Sequence, residues 1–341
     1  MTTAPRLGPL PEHPRVSAVV PVRDGGATIE ACLRSVLDQD PPVDEVVVAV
    51  GPSRDDTREV VESVAATDPR VRVVDNPSGR TPDALNAAIA ASTGEVIVRV
   101  DAQSVLPPGY VGTVVHTLRR TRAANVGGRQ VPSAQRGFPR GVAAAMRSPY
   151  GSGGAAYRTG TRPGPADTVY LGAFRRGALE AVGGFDPRFV RNQDAELNVR
   201  LREAGYLVWF EPSLEVAYQP RATVGSLASQ YLQYGRWRRL TLKLHPGSLA
   251  PRQLAAPALV AALVLAAVLS VAVVSWWPLL AVVGPYVAIT LYAAAFAAPA
   301  PAAIVPTAVA FTVMHLAWGV GFLLGPPRVD DPPPAPPGSD A

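Results

Sequence analysis

Apolar and polar positions follow two different rhythms along the first half of this chain. Val16 to Val22, Glu45 to Val50, Val71 to Asp75 and Glu95 to Val100 are short, valine-rich runs of strand length. Between them the spacing is helical. Thr28 to Asp38 puts Ile29, Cys32, Leu33 and Val36 on one side, and Thr57 to Ala66 and Pro82 to Ala91 read as two further helices. Continuous apolar strands alternating with helices predict a parallel sheet covered on both faces. Val169 to Phe174 predicts another strand, followed by a helix through Val182 and the turn Gly183-Gly184-Phe185-Asp186-Pro187. A last helical run, Ala195 to Ala204, carries Leu197, Leu201 and Ala204 on its apolar side.

The pattern then changes. Leu254 to Gly325 contains no charged residue. Leu254 to Ser275 is unbroken apolar sequence, and about 20 such residues cross a bilayer. Trp276-Trp277-Pro278 joins an interfacial aromatic pair to a helix breaker, Leu279 to Ala298 is a second span, and Ala302 to Gly325 a third. Pro285 and Pro306 are expected to kink their helices. The organisation read from this is a disordered arm over 1–15, an α/β domain over 16–249, three transmembrane helices over 250–326, and a disordered, Pro-rich acidic tail over 327–341.

Composition agrees with a membrane protein: of 341 residues 48% are hydrophobic and only 17% charged. Cys32 is the one cysteine, and its place on an apolar helix side predicts a buried, inert thiol in a reducing compartment. The N-terminal stretch is Pro-rich and lacks the apolar core of a signal peptide. The net charge of +5 raises the question of nucleic acid. The basic cluster Arg236, Arg238, Arg239, Lys243 and Arg252 stands directly before the first span, where the positive-inside rule and anionic membrane lipid place such residues. No nucleic-acid module accompanies it, so nucleic acid is excluded as a partner. The orientation expected is a multi-pass protein of the cytoplasmic membrane with its α/β domain in the cytosol.

Ligands of parallel sheets bind outside the carboxyl ends of strands. Asp24, Ser53 with Asp55, Arg80 and Asp101 stand there, on four different strand ends. Neither G-x-G-x-x-G after the first strand nor G-x-x-x-x-G-K-[ST] occurs, which removes the dinucleotide and P-loop readings. Thr81 suits an N-cap and Pro82 the first helical position, so Arg80 beside that helix start is either an anion site or an ordinary neighbour of a cap. Asp101 can hold a hard divalent cation or a ribose hydroxyl, or can be a solvated turn residue. Asp194 reads equally as a helix cap or dipole partner and as a general base. The glycine-rich stretch Ser148 to Asp167 predicts a mobile lid or a disordered excursion. His315, inside the third span, is a functional candidate or a neutral, hydrogen-bonded side chain.

Taken together the motifs resemble the family 2 glycosyltransferases of GT-A fold. The matching stretches are Val19-Val20-Pro21-Val22-Arg23-Asp24, Leu85-Asn86-Ala87-Ala88, Thr93-Gly94-Glu95-Val96-Ile97, Val100-Asp101-Ala102-Gln103, Gly183-Gly184-Phe185-Asp186 and Asn192-Gln193-Asp194. Gln233-x-x-Arg236-Trp237 is similar to the Q-x-x-R-W signature of membrane-bound members. Val169 to Arg176 with Arg191-Asn192-Gln193-Asp194 resembles the glucosyltransferases of succinoglycan-type exopolysaccharide assembly. The resemblance implies a mostly parallel mixed sheet with flanking helices. It implies an inverting transferase with Asp194 as base. Pro21, Arg23, Asp24, Ser53, Arg80, Asn86, Asp101 and Gln103 would serve the nucleotide-sugar donor. Gly184, Asp186, Gln193, Gln233, Arg236 and Trp237 would serve a lipid-linked saccharide acceptor or the leaving diphosphate. Asp101 and Gln103 would hold a divalent cation, Mn2+ or Mg2+.

Two departures from the family pattern stand out. Val50-Gly51-Pro52-Ser53 replaces the acidic pair that reads uracil, and Gln103 replaces the second metal-binding aspartate. The second implies a metal held mostly by the diphosphate, or reduced dependence on it. The alternatives are a polyprenyl-phosphate glycosyltransferase and a catalytically silent scaffold that binds nucleotide-sugar.

Overall fold

The computed structural model describes residues 7–326. The tail expected over 327–341 and the first six residues of the expected arm lie outside them. The rest of the arm is not loose: Leu10 packs on the core, and Arg119 Nη1 donates to the Glu12 carbonyl at 3.2 Å.

The alternating pattern appears as β1 (Val16–Val22), α1 (Gly26–Leu37), β2 (Glu45–Val50), α2 (Thr57–Thr67), β3 (Val71–Asp75), α3 (Thr81–Ala91) and β4 (Val96–Arg99). There follow α4 (Tyr110–Thr121), β5 (Asn125–Pro132), α5 (Gly137–Arg147), α6 (Pro149–Ser152), α7 (Ala156–Thr159), β6 (Gly164–Pro165), β7 (Tyr170–Arg175), α8 (Arg176–Ala181), α9 (Gln193–Glu203) and β8 (Val208–Tyr218). The last four helices are α10 (Val224–Leu244), α11 (Ala255–Ala272), α12 (Trp277–Ala297) and α13 (Ile304–Leu324).

The strands form one mixed sheet in the order β3-β2-β1-β4-β7-β5-β8-β6. β1 runs parallel to β2 and β4, and β2 parallel to β3. β7 is antiparallel to both β4 and β5. The valines of β1, β2 and β4 form the core with Ile29, Cys32, Leu33 and Val36 of α1. β5 lacks a continuous apolar run because its backbone is crowded: a Cβ on Gly127 would lie 2.6 Å from the Tyr170 carbonyl oxygen.

Contacts divide the described chain into two compact units, 7–130 with 160–217 and 131–159 with 218–326. These units follow contacts, and the change in composition near residue 249 falls inside the second of them. The glycine-rich stretch also departs from the lid or excursion expected of it. Its first part folds as α6 and α7 and belongs to the second unit, and its later part makes the short strand β6.

Three helices of the second unit are long and apolar enough to cross a membrane: Pro251–Ala272, Trp277–Ala297 and Pro301–Leu324. Pro285 lies inside α12. Pro306 sits in the first turn of α13, where its missing N–H removes no helical hydrogen bond, so no kink follows from it. His315 has both ring nitrogens engaged: Nε2 lies 2.8 Å from the Tyr150 carbonyl oxygen and Nδ1 3.2 Å from the Tyr286 hydroxyl. It is a hydrogen-bonded tie between helices.

α10 packs along α13 through glycine. A Cβ on Gly235 would run into the Trp318 carbonyl, and one on Gly321 into that of Leu232. Backbone cannot yield as a flexible side chain can. Gly235→Val is therefore expected to cost about 1–3 kcal/mol, read as a lowered thermal midpoint of the detergent-solubilised protein. An unchanged midpoint would show that the two helices can separate freely.

Candidate active site

In the first unit the carboxyl ends of β1, β2 and β3 meet. A Cβ on Gly51 would lie 3.3 Å from the Cα of Gly79 and 3.4 Å from the Cβ of Arg23. The loops are laced together by polar side chains. Ser53 Oγ accepts from the Asp24 N–H at 3.0 Å, and Asp24 Oδ1 accepts from the Arg54 N–H at 2.7 Å. Asp55 Oδ2 accepts from the Gly26 N–H at 2.9 Å, and Thr57 Oγ1 accepts from that of Gly25 at 2.8 Å. Asp24 has φ 48°, a left-handed conformation that this lacing holds in place. Pro21 pairs in register with Ala49 one residue before β1 ends.

Partial burial works to raise the Asp55 carboxyl, but hydrogen bonds from Thr57 and Gly26 outweigh it and hold it below the ordinary carboxylate range. The sign follows from a folded value below the unfolded one. Its stabilisation is complete above about pH 4 and is lost as pH falls through the lower folded value. Asp55→Asn should therefore flatten the acid limb of a stability-against-pH curve. An acid limb of unchanged steepness would contradict this.

Arg80 occupies the N-cap position of α3 and Thr81 is already helical, one residue earlier than the pattern suggested. The Arg80 guanidinium is paired with Asp83 at 2.8 Å, so the anion site expected at this helix start carries its own carboxylate.

Asp101 and Asp194 meet through a residue that the strand pattern hid. Arg99, at the end of β4, is only 4% exposed. Its Nε and Nη2 donate to Asp101 Oδ1 at 3.0 and 2.9 Å, and its Nη1 donates to Asp194 Oδ1. The Asp101 and Asp194 side chains are 19% and 33% exposed, so both carboxylates open to solvent while the cation between them does not. The cap of α9 is Asn192, at φ 62°, and Asp194 lies in the first turn. It is not the N-cap, and the helix dipole favours a carboxylate there. An arginine inside Val-Ile-Val-Arg-Val was the available signal, since a buried cation demands partners.

The other motifs brace this pair. The Arg99 guanidinium lies 5.9 Å from the centroid of the Phe185 ring. The Asn86 amide brackets the Phe185 backbone, with Nδ2 donating to its carbonyl at 2.7 Å and Oδ1 accepting from its N–H at 2.9 Å. Both ends of the Asn86 amide, expected to touch the donor, are thus engaged by the Phe185 backbone. Gly184 has φ 72°, and a Cβ on it would lie 2.8 Å from Asn86 Oδ1. Burial works to raise the Asp186 carboxyl, but Arg188 grips it at 2.7 Å and holds it below the ordinary range. Gln193 is buried beneath the first turn of α9. The Cys32 thiol is buried below Asp101, 3.5 Å from its carbonyl, and burial pushes it up to about 12, which leaves it inert.

Gln233, Arg236 and Trp237 belong to the second unit, on α10. Trp237 is buried, and Arg236 Nε is buried with no hydrogen-bond partner among the described residues.

Residues 17–183 match the family model "Glycosyl transferase family 2". The chain is 34% identical to the succinoglycan biosynthesis protein ExoA of Rhizobium meliloti (strain 1021), over 89% of this chain and 92% of that one. This protein is a family 2 glycosyltransferase. It is also 22% identical to a dolichyl N-acetyl-alpha-D-glucosaminyl phosphate 3-beta-D-2,3-diacetamido-2,3-dideoxy-beta-D-glucuronosyltransferase of Methanococcus voltae, over 67% of this chain and 74% of the relative. The fold is that of a mannosyltransferase of Pyrobaculum calidifontis solved with GDP-Man and Mn2+, at TM-score 0.60 and 22% identity, over 93% and 88% of the two chains.

Against that fold the ligand set for a metal is sparse in this family 2 enzyme. Among the described residues no three His, Cys, Asp or Glu side chains gather as a metal site. Asp101 and the exposed Gln103 supply oxygen ligands only. Such a set fits a hard divalent cation that arrives with a diphosphate and takes its remaining oxygens from phosphate and water.

Proposed function

We propose that this glycosyltransferase moves a hexose, with inversion, from a nucleoside diphosphate carrier to a saccharide held on a membrane lipid. The expected carrier is UDP, and the product belongs to exopolysaccharide or cell-envelope glycan assembly. The observation that supports the chemistry is the single guanidinium of Arg99, which ties Asp101 and Asp194 together. One carboxylate faces the donor and the other is the base. The acceptor hydroxyl oxygen forms a bond to the anomeric carbon as the bond to the diphosphate oxygen breaks. The hydroxyl proton passes to Asp194, and the nucleoside diphosphate leaves. Asp101 and Gln103 would hold the cation, Mn2+ or Mg2+, which when bound offsets charge on the departing diphosphate. Arg23, Asp24, Ser53 and Arg80 are proposed to line the nucleotide. Asp186 and Gly184 are proposed to shape the acceptor side, and Gln233, Arg236 and Trp237 to serve acceptor and diphosphate.

The name of the Rhizobium relative supports a polysaccharide product, and that of the Methanococcus relative an acceptor carried on a lipid phosphate. The basic run before the first span supports a catalytic unit on the cytosolic side of the cytoplasmic membrane. The test is a screen of nucleotide-sugars against membranes that contain lipid-linked acceptors, read by mass spectrometry. A hexose mass added to a lipid-linked saccharide is the expected result. Nucleotide-sugar binding with no transfer to any acceptor would favour the silent scaffold.

A further inference from the structure

Asp101 is the only carboxylate in the strand-end motif Val100-Asp101-Ala102-Gln103, and a cation already stands on it. Gln103 is exposed and adds an amide oxygen but no charge. The resident cation is Arg99, and the fold gives it little freedom. The side chain is buried, its Nε and Nη2 share Asp101 Oδ1, and its Nη1 donates to Asp194. The Phe185 ring lies over the guanidinium at 5.9 Å. Phe185 is only 1% exposed and meets Phe174 edge to face at 6.0 Å, and both ends of the Asn86 amide grip its backbone. A guanidinium bonded through all its nitrogens beneath an anchored ring cannot swing aside for a second cation.

Arginine is always charged, so it cannot yield by losing a proton either. Two carboxylates and one guanidinium leave the cluster a single net negative charge. A free divalent cation that approached Asp101 would give up part of its hydration for one carboxylate and one amide oxygen. It would do so beside a fixed like charge, on a carboxylate already shared, and a buried charge is poorly screened by water and salt. That exchange is unfavourable. The same cation on a nucleoside diphosphate arrives with phosphate oxygens of its own, whose negative charge offsets the cation and Arg99 together. The cluster thus distinguishes a free ion from one carried by a diphosphate.

We infer that Arg99 is a positioning residue that keeps Asp101 closed to free divalent cations and leaves it able to take the cation–diphosphate complex of the donor, so that metal and nucleotide-sugar enter together. The inference rests on the proposed part of Asp101 as a cation ligand, but its test needs no turnover. The full chain in detergent, free of nucleotide, would be brought to equilibrium dialysis against Mn2+, and the retained metal measured. Wild type should retain Mn2+ weakly. Arg99→Met and Arg99→Gln, which remove the charge in two different shapes, should each bind it about tenfold tighter or more. Misfolding does not create a metal site at Asp101, so this gain separates the role from a merely structural one. Arg99→Lys should fall between, since a buried lysine can give up its proton. Asp101→Asn added to Arg99→Met should abolish the gain. Across a panel of nucleoside diphosphates, at least one should draw Mn2+ onto wild type where Mn2+ alone is not retained. Wild type holding free Mn2+ as tightly as the neutral variants, or a gain that survives Asp101→Asn, would overturn the inference. Equal retention by wild type with and without every nucleotide would overturn it even if both neutral variants fold poorly. Exclusion of free Mn2+ with no sugar transfer would instead count against the proposed reaction and leave this role of Arg99 standing.

Discussion

Asp194→Asn is expected to fold and bind nucleotide as the wild type does, and to lower transfer by about 10²-fold or more. The amide is isosteric and still accepts a hydrogen bond from Arg99, so the first turn of α9 keeps its place. What it loses is the ability to take a proton from the acceptor hydroxyl. The measurement is kcat for transfer, alongside calorimetry with the nucleoside diphosphate. Near-normal turnover would remove Asp194 from the base role. It would also favour a lipid phosphate as nucleophile, because that oxygen is already ionised and needs no base.

Arg99→Met is the second large effect. The thioether matches the stem of arginine in length but carries no charge, so Asp101 and Asp194 would be left without their shared cation. Breaking a buried ion pair by removing one partner costs about 3–5 kcal/mol. Both carboxylates are partly exposed, which places the expected loss at the low end, about 3 kcal/mol. The check is the thermal midpoint of the full chain in detergent, which should fall by several degrees, with transfer lost. Adding Asp194→Asn to Arg99→Met should restore part of the stability, because it removes one of the two opposed charges. The double variant is therefore expected to be less than additive. Strict additivity, or a midpoint within about a degree of wild type, would show that Arg99 does not hold the pair together.

The layered half of the fold was legible because it depends on local chemistry. Valine runs bury both faces of β1, β2 and β4, and helices with an apolar stripe must cover them, whatever the rest of the chain does. The three apolar helices were legible for the same reason, since length and hydropathy alone decide whether a segment suits a bilayer. The motifs also placed Asp101 at a strand end and Asp194 at a helix start. What they left open was whether Asp194 was a cap, and that turned on Asn192 taking the left-handed cap position instead.

The rest needed contacts between residues far apart in the chain. The apolar run around Arg99 marks it as buried but names no partner, and only the fold brings Asp194, 95 residues away, onto its guanidinium. Asn86 reads as a polar helix residue until the turn 99 positions later is found in its grip. The glycine-rich stretch around 148–159 carries no apolar periodicity, so sequence alone suggests mobility. Its order comes from Tyr150 bonding to α12 and α13. Composition and periodicity thus determined the layers and the three apolar helices, and the motifs carried the resemblance to the family. The pairing of charges and the use of each polar side chain were decided by tertiary structure, because an ion pair or an amide bridge has no sequence period to betray it.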